Sequence, residues 1–271
     1  MFLSARRSGR PRWTIALLAV LLPLTVLPGA GLPTAVADHA QPPGPVNAQS
    51  TYKWGRPLWQ DDFESSQMPS FYRVEGPGLV QNQHGMLTLN TTDEGTVSAT
   101  RDQAGHTTGR WEIRLRSRRY STDAANFRVR TELVPAGDQE QRCGARDVSL
   151  QGYRIGGHRA HLWIRNLPDR QFSASKRLGL ADDQWHTFAV EVTDSRVSWF
   201  VDAHVIRTER RPEALSGVPM TVRFTMLAQP GQRMNKSRMQ MDWLRYFTLD
   251  RPNARSVDAP PTNAGSYTGA C

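Results

Sequence analysis

The sequence lacks several features that would assign it to common protein classes. No segment shows a sustained helical period of apolar residues, which argues against an all-α fold. No interval repeats along the 271 residues, so the chain is not built from sequence repeats. The apolar run 13–27 is short for a membrane span of about 20 residues and is interrupted by Pro23. We therefore expect no retained membrane anchor.

The same apolar run is typical of a secretory signal. Four arginines precede it, and the small residues Ala35-Val36-Ala37 offer a cleavage site before Asp38. No cysteine lies near that site, so nothing predicts a lipid anchor. We expect residues 1–37 to be removed and the protein to be secreted.

Cysteine is scarce, because Cys143 and Cys271 are the only two. An oxidising compartment would let them pair and tie the C-terminus to the middle of the chain. The alternative is two unpaired thiols.

The positive charge does not predict nucleic acid binding. Removal of residues 1–37 lowers the formal charge from +9 to +5, with 30 basic and 25 acidic residues left. The remaining arginines are spread over many segments, and there is no basic helix or lysine-rich arm. Positive charge should therefore matter only locally.

Period-two alternation of apolar and polar residues predicts strands throughout the rest of the chain. In residues 110–118, Trp111, Ile113 and Leu115 alternate with charged side chains. Similar strands are predicted at 126–133, 161–165, 185–193, 196–202, 221–228 and 239–249. Short strands separated by turn residues predict an all-β domain of two antiparallel sheets packed face to face.

Composition divides the chain into four parts. A proline-rich linker is predicted at 38–53, the β-sandwich at 54–250, and a polar tail at 251–271 after the signal peptide. Such a tail would ordinarily be disordered, and only its final cysteine argues that its end is fastened.

Five stretches together resemble glycoside hydrolase family 16, the concanavalin A-like glucanases. They are 59–63 (WQDDF), 108–114 (TGRWEIR), 184–191 (QWHTFAVE), 197–202 (VSWFVD) and 239–246 (MQMDWLRY). The resemblance implies a jelly-roll sandwich of two antiparallel sheets, with a polysaccharide cleft on its concave face. It also implies retaining hydrolysis by a strand of the form Glu-x-Asp-x-Glu, with or without a bulged residue before the last Glu.

The catalytic positions of that strand fall on residues 145–150 of this chain. Asp147 corresponds to the middle acid, Ala145 to the nucleophile, and Ser149 or Leu150 to the acid/base. Two carboxyls about 5 Å apart are needed for retention, and only Asp147 carries one. No glutamate lies between Glu140 and Glu191, so no shift of register restores the motif.

Other residues could replace the missing groups. Glu132, on a neighbouring strand, could form an inverting pair with Asp147, or it could instead pair with an arginine. His158 and His161 could act as acid or base, or could be ligand contacts or surface residues. We find no ligand spacing for a metal and expect no cofactor.

The alternation of side chains along each strand also predicts which residues lie on the same face of the sheet as Asp147. Val148, Leu162 and Ile164 should point into the core, and the predicted cleft residues are Arg128, Arg130, Tyr153, His161, Trp163 and Arg165. Aromatic rings stack on sugars, and guanidinium groups recognise carboxylate or sulfate. We expect an anionic cell-envelope glycan as ligand, unless these arginines are neutralised by acids within the sheet.

Three functional classes remain open at this point. The first is a secreted hydrolase of the family 16 type, and the second is a non-catalytic, lectin-like protein that binds a glycan. The third is a purely structural exported protein. In each case we expect a monomer with no nucleic acid partner.

Overall fold

A computed structural model of the protein describes residues 47–137, 146–180 and 183–268. The described chain is almost entirely β-structure, with one short α-helix, α1 (Ala48–Tyr52), and one 3₁₀ turn at Pro212–Ala214. The first eight strands are β1 (Trp59–Asp61), β2 (Tyr72–Glu75), β3 (Leu79–Asn82), β4 (Leu87–Asn90), β5 (Val97–Arg101), β6 (Gly109–Arg119), β7 (Arg128–Pro135) and β8 (Val148–Arg154). The other eight are β9 (Arg159–Asn166), β10 (Arg170–Arg177), β11 (His186–Val192), β12 (Val197–Val201), β13 (His204–Glu209), β14 (Met220–Leu227), β15 (Ser237–Phe247) and β16 (Asn263–Ser266).

The strands form two antiparallel sheets of eight strands each. We call the first the cleft sheet, and its order is β16-β10-β9-β8-β7-β14-β5-β2. The second, the back sheet, has the order β13-β12-β11-β6-β15-β4-β3, with β1 paired to β15. The expected fold class, a two-sheet jelly-roll sandwich, is confirmed.

The main core lies between the two sheets and is built by the alternation that the sequence shows. Trp111, Ile113 and Leu115 of β6 are buried in it, as are Val148, Leu162 and Ile164 of the cleft sheet. Two hydrogen bonds cross this core. Trp199 Nε1 of β12 donates to the backbone oxygen of Ser149 at 2.7 Å, and the Tyr153 hydroxyl of β8 donates to Ser117 Oγ of β6 at 2.9 Å.

A second, smaller core covers part of the outer face of the back sheet. Tyr52 and Trp54, at the N-terminal end of the described chain, pack with Phe200, Phe247 and Val257. Residues 48–53, expected to be linker, therefore include α1 and belong to the folded unit. The N-cap residue Asn47 accepts a hydrogen bond from the Ser50 amide, which begins the helix.

The buried carboxyl of Glu112 on β6 holds α1 against the back sheet. Its Oε1 accepts a hydrogen bond from the Ala48 amide at 2.5 Å. Burial raises the pKa of Glu112 to about 7, although that hydrogen bond acts in the opposite direction.

The tail after residue 250 also differs from the expected disorder. The Glu209 carboxylate on β13 accepts hydrogen bonds from the amide and hydroxyl of Thr262, and β16 then pairs with the edge of β10. Hydrogen bonds to the Glu209 side chain and the pairing of β16 with β10 therefore hold the described part of the tail. Among the described residues no helix is long and apolar enough to cross a membrane.

Candidate functional site

A β-bulge in β8 decides which residues face the cleft. The pairing of β7 with β8 shifts register between Thr131, which opposes Gln151, and Glu132, which opposes Ser149. Leu150 is the extra residue, and such an insertion reverses the alternation beyond it. Asp147 and Ser149 lie on the cleft face before the bulge, and Gly152 lies there after it.

The bulge corrects the prediction for Tyr153. Regular alternation places this residue beside Asp147, but its ring is 4% exposed and packs in the main core. Its hydroxyl bonds to Ser117 of the opposite sheet. Tyr153 still contributes to the lining of the cleft, and so does the neighbouring Arg154, whose side chain is exposed.

Asp147 is the acid at the centre of the site, and it is fully buried. Its Oδ2 accepts a hydrogen bond from Trp163 Nε1 at 3.3 Å and lies 3.5 Å from Nη1 of Arg165. Burial, followed by repulsion from Glu132, raises the pKa of Asp147 to about 8. Both effects favour the protonated form of this carboxyl.

Glu132, the second carboxyl near the site, is paired with arginines. Its two oxygens lie 3.7 Å from Arg130 Nη1 and 3.4 Å from Arg223 Nη2. The side chain is 2% exposed. This is the arginine-paired alternative considered for Glu132, and it places both carboxyls below the surface of the cleft.

Trp163 forms the floor of the site. A Cβ atom added at Gly152 would lie 2.5 Å from the indole ring, so the ring lies directly over the glycine backbone. The guanidinium groups of Arg130 and Arg165 lie 5.5 and 5.4 Å from the ring centre. With the residue only 8% exposed, the indole supports the arginines and offers little open surface for stacking a sugar.

The cleft above this floor has a volume of about 470 Å³. Its lining is mainly polar and cationic and includes Arg128, Arg130, Arg154, His161, Arg165, Gln171, Ser173, Ser175 and Asn263. Arg128 and His161 lie at its exposed rim. Partial burial lowers the pKa of His161, and Arg128 and Arg159 lower it further, so its imidazole is neutral at pH 7.

The acid/base positions of the family motif hold no ionisable group. Ser149 Oγ accepts a hydrogen bond from the Trp163 amide at 2.7 Å and is buried. Leu150 is buried in the main core. Ala145, Cys143 and Cys271 lie outside the described residues, so the predicted disulfide stays a prediction.

The structure therefore brings together most of the predicted site residues. Asp147, Trp163, Arg130 and Arg165 form one contact network, and Arg128 and His161 lie beside it. His158 is not among the lining residues. It precedes β9, and its backbone oxygen accepts a hydrogen bond from the amide of Leu178, which follows β10. No group of three or more potential metal ligands occurs in the described ranges.

Several lining residues were not predicted. Gln171, Ser173 and Ser175 alternate with the apolar Phe172 and Ala174, so the period-two pattern of β10 could have revealed them. Asn263 had no such signal, because β16 is short and its residues are polar or small.

Sequence comparison now assigns the family. The profile of glycosyl hydrolases family 16 matches residues 68–245, well over half of the chain. The chain belongs to this family. Comparison with curated protein sequences found no match.

Solved structures share the fold of this family 16 chain. A laminarinase from Flavobacterium sp. UMI-01 is 10% identical, with a TM-score of 0.57 over 71% of this chain and 100% of its own. An endo-β-1,3-glucanase from Pyrococcus furiosus is 11% identical, with a TM-score of 0.59 over 71% and 94% of the two chains. The laminarinase from Rhodothermus marinus is 14% identical, with a TM-score of 0.56 over 71% and 97%. At these identities the likeness concerns the fold, and the chemistry must be argued from the site.

Proposed function

We propose that the protein binds an acidic polysaccharide in its cleft and does not hydrolyse it by the retaining mechanism of its family. The observation that carries this proposal is the arrangement of charge. Four arginines line the cleft, namely Arg128, Arg130, Arg154 and Arg165, whereas the two nearby carboxyls are buried beneath them. Guanidinium groups recognise carboxylate and sulfate through paired hydrogen bonds.

The residues at the catalytic positions support the absence of retaining hydrolysis. That mechanism needs a nucleophile and an acid/base about 5 Å apart. Ala145 has no nucleophilic atom, and neither Ser149 nor Leu150 can protonate a leaving group. The Ser149 hydroxyl is in addition bonded to backbone, which keeps it from contacting a sugar.

Calorimetric titration of the mature protein with oligomers of galacturonic acid tests the binding. Arg128→Ala and Arg154→Ala each remove one guanidinium from the rim without opening the core, and we expect each to weaken binding by about tenfold. Arg233→Ala is the matched control, because Arg233 is exposed, does not line the cleft and pairs only with the exposed Asp123. Equal affinity of all three variants and the unmodified protein would contradict the proposal.

A second candidate, hydrolysis with inversion, is favoured by the position of the two carboxyls. The raised pKa of Asp147 suits a group that donates a proton to a leaving group, and Glu132 shares its face of the sheet. Incubation with acidic and neutral glycans, followed by measurement of new reducing ends, tests this function. Inverting hydrolysis requires that the unmodified protein produces new reducing ends and that both Asp147→Asn and Glu132→Gln lose this activity. If the unmodified protein produces none, this function is excluded.

Export is part of the proposal and rests on the sequence of residues 1–37. The glycan would then be an acidic polymer of the cell envelope or its surroundings. N-terminal sequencing of protein recovered from the culture medium should begin at Asp38. A chain that keeps its arginine-rich N-terminus inside the cell would contradict this location.

A further inference from the structure

Strand β16 lies beyond the residues that match the family profile. The family profile ends at residue 245, and β16 spans Asn263–Ser266. It pairs antiparallel with β10 from Ser173↔Asn263 to Arg170↔Ser266. The amide of Tyr267 then donates to the backbone oxygen of Asp169 at 2.9 Å, which continues the ladder for one more residue.

Register places one face of this strand in the cleft. Asn263 opposes Ser173 and Gly265 opposes Gln171, and both partners line the cleft. Ala264 opposes Phe172, which is buried in the main core. Because directly paired residues point to the same side of a sheet, Asn263 and Gly265 face the cleft, and so does Tyr267 after them.

The chemistry of this face suits a sugar. Asn263 offers an amide that can both donate and accept hydrogen bonds, and Tyr267 offers an aromatic ring. Arg165 links the ring to the site, since its guanidinium lies 5.3 Å from the centre of the Tyr267 ring and 5.4 Å from that of Trp163. The Tyr267 hydroxyl is buried and has no hydrogen-bond partner among the described residues, so the ring is the part of this side chain that a sugar would contact.

Between these two side chains the surface is open. A Cβ atom added at Gly265 would meet no atom within 4 Å. Asn263, Gly265 and Tyr267 therefore form a shallow polar and aromatic strip at the edge of the sheet.

The lining residues show that the cleft crosses the strands. They come in turn from β7, β8, β9, β10 and β16, which are neighbours in the cleft sheet. Each added strand lengthens such a cleft by about 4.8 Å, close to the length of one sugar ring in a chain.

We propose that β16 forms an additional binding position for one sugar residue at this end of the cleft, with Asn263 and Tyr267 as specificity-determining residues. The inference rests on the proposed function, because the sugar bound here belongs to the same acidic chain that the arginines hold. Gly265 leaves the space that the sugar occupies.

Titration with galacturonic acid oligomers of defined length, from dimer to octamer, tests this position. For the unmodified protein we expect affinity to rise with length until the oligomer reaches β16. The double variant Asn263→Ala/Tyr267→Ala should bind the longest oligomers about tenfold more weakly and the shortest ones unchanged. Gly265→Tyr should give the same pattern by obstruction, and the open space around Gly265 lets this variant fold.

Ser266→Ala is the matched control, because Ser266 pairs with Arg170 and points away from the cleft. If both test variants bind every oligomer as the unmodified protein does, or lose long and short oligomers equally, the additional position is overturned while the proposed function stands. If the unmodified protein binds neither these oligomers nor a sulfated galactan, the proposed function fails and this inference fails with it.

Discussion

Asp147 is the residue on which the character of the cleft depends. It is a buried acid with a raised pKa, and its Oδ2 lies 3.5 Å from Nη1 of Arg165. In the ordinary family pattern this acid orients a catalytic glutamate. Here its hydrogen-bond donor is the indole of Trp163, which it fixes over Gly152.

The raised pKa of Asp147 predicts how stability depends on pH. Its pKa is about 8 in the folded protein and about 3.9 in an unfolded chain, so between these values only the folded state holds the proton. The free energy of unfolding should therefore fall as pH rises from about 4 to about 8. Asp147→Asn should remove this part of the slope, measured by urea unfolding at several pH values.

Other groups titrate in the same pH range, so the pH dependence of unfolding in Asp147→Asn must be compared with that of a control variant. Asp194→Asn serves as control, since Asp194 is an exposed turn residue. A slope that is the same in Asp147→Asn and in the control would contradict the buried, protonated state of Asp147.

Gly152 is the second residue with a sharp prediction. An alanine Cβ there would lie 2.5 Å from the Trp163 ring, so the indole must move off the cleft floor. We expect Gly152→Ala to destabilise the protein by about 1–3 kcal/mol and to shift its tryptophan fluorescence. Gly265→Ala is the matched control on the same sheet, because its added methyl meets nothing. Unchanged stability and fluorescence in Gly152→Ala would contradict the packing described.

At the scale of elements, the alternation of apolar and polar residues predicted the strands that bury one face. It did not predict where a strand departs from that alternation. β6 and β9 follow from alternation, because one face is apolar and the other charged. The resemblance left a bulge in this strand open, and alternation could not decide it. The bulge at Leu150 reversed the orientation expected for Tyr153. The bulge did not affect the prediction of the cleft arginines. Arg128 and Arg130 lie on β7 and Arg165 lies on β9, whereas the extra residue is in β8.

α1 and β16 were missed for a different reason. α1 has five residues and β16 has four, too short for either period to show. Both are stabilised by tertiary contacts, α1 by the Glu112 carboxylate and β16 by the edge of β10. Propensity along the chain carries little information about such elements.

The attachment of the C-terminal tail to β13 gives a prediction at this scale. Burial raises the pKa of Glu209, but hydrogen bonds from Arg211 and Thr262 outweigh it and hold the pKa at about 2. The carboxylate therefore stabilises the folded protein above about pH 4.3, and this contribution is lost as pH falls towards 2. At neutral pH we expect Glu209→Gln to loosen the tail and speed tryptic cleavage after Arg251 and Arg255.

Glu213→Gln is the control for that experiment. Glu213 is exposed and forms an ion pair with the exposed Arg170, and exposed pairs contribute little to stability. Equal cleavage rates in the two variants would show that Glu209 does not hold the tail.

At the scale of the whole molecule, the family fold is shown, and the absence of the family's hydrolysis is our proposal. The two sheets reproduce the sandwich of the laminarinases, and the sequence stretches that carry the resemblance mostly supply its core and its strand pairing. The residues that line the cleft are mainly polar and cationic, and four of them are arginines. A fold maintained by its core can keep a cleft after the chemistry in that cleft has changed.

The central claim is that the cleft recognises negative charge on a glycan. The most direct measurement is calorimetric titration of the mature protein with polygalacturonate and with neutral β-1,3-glucan, each at low and at high salt. We predict binding of the acidic polymer only, with an affinity that falls as salt screens the arginines. Binding of the neutral glucan with an affinity that salt does not change would contradict the claim.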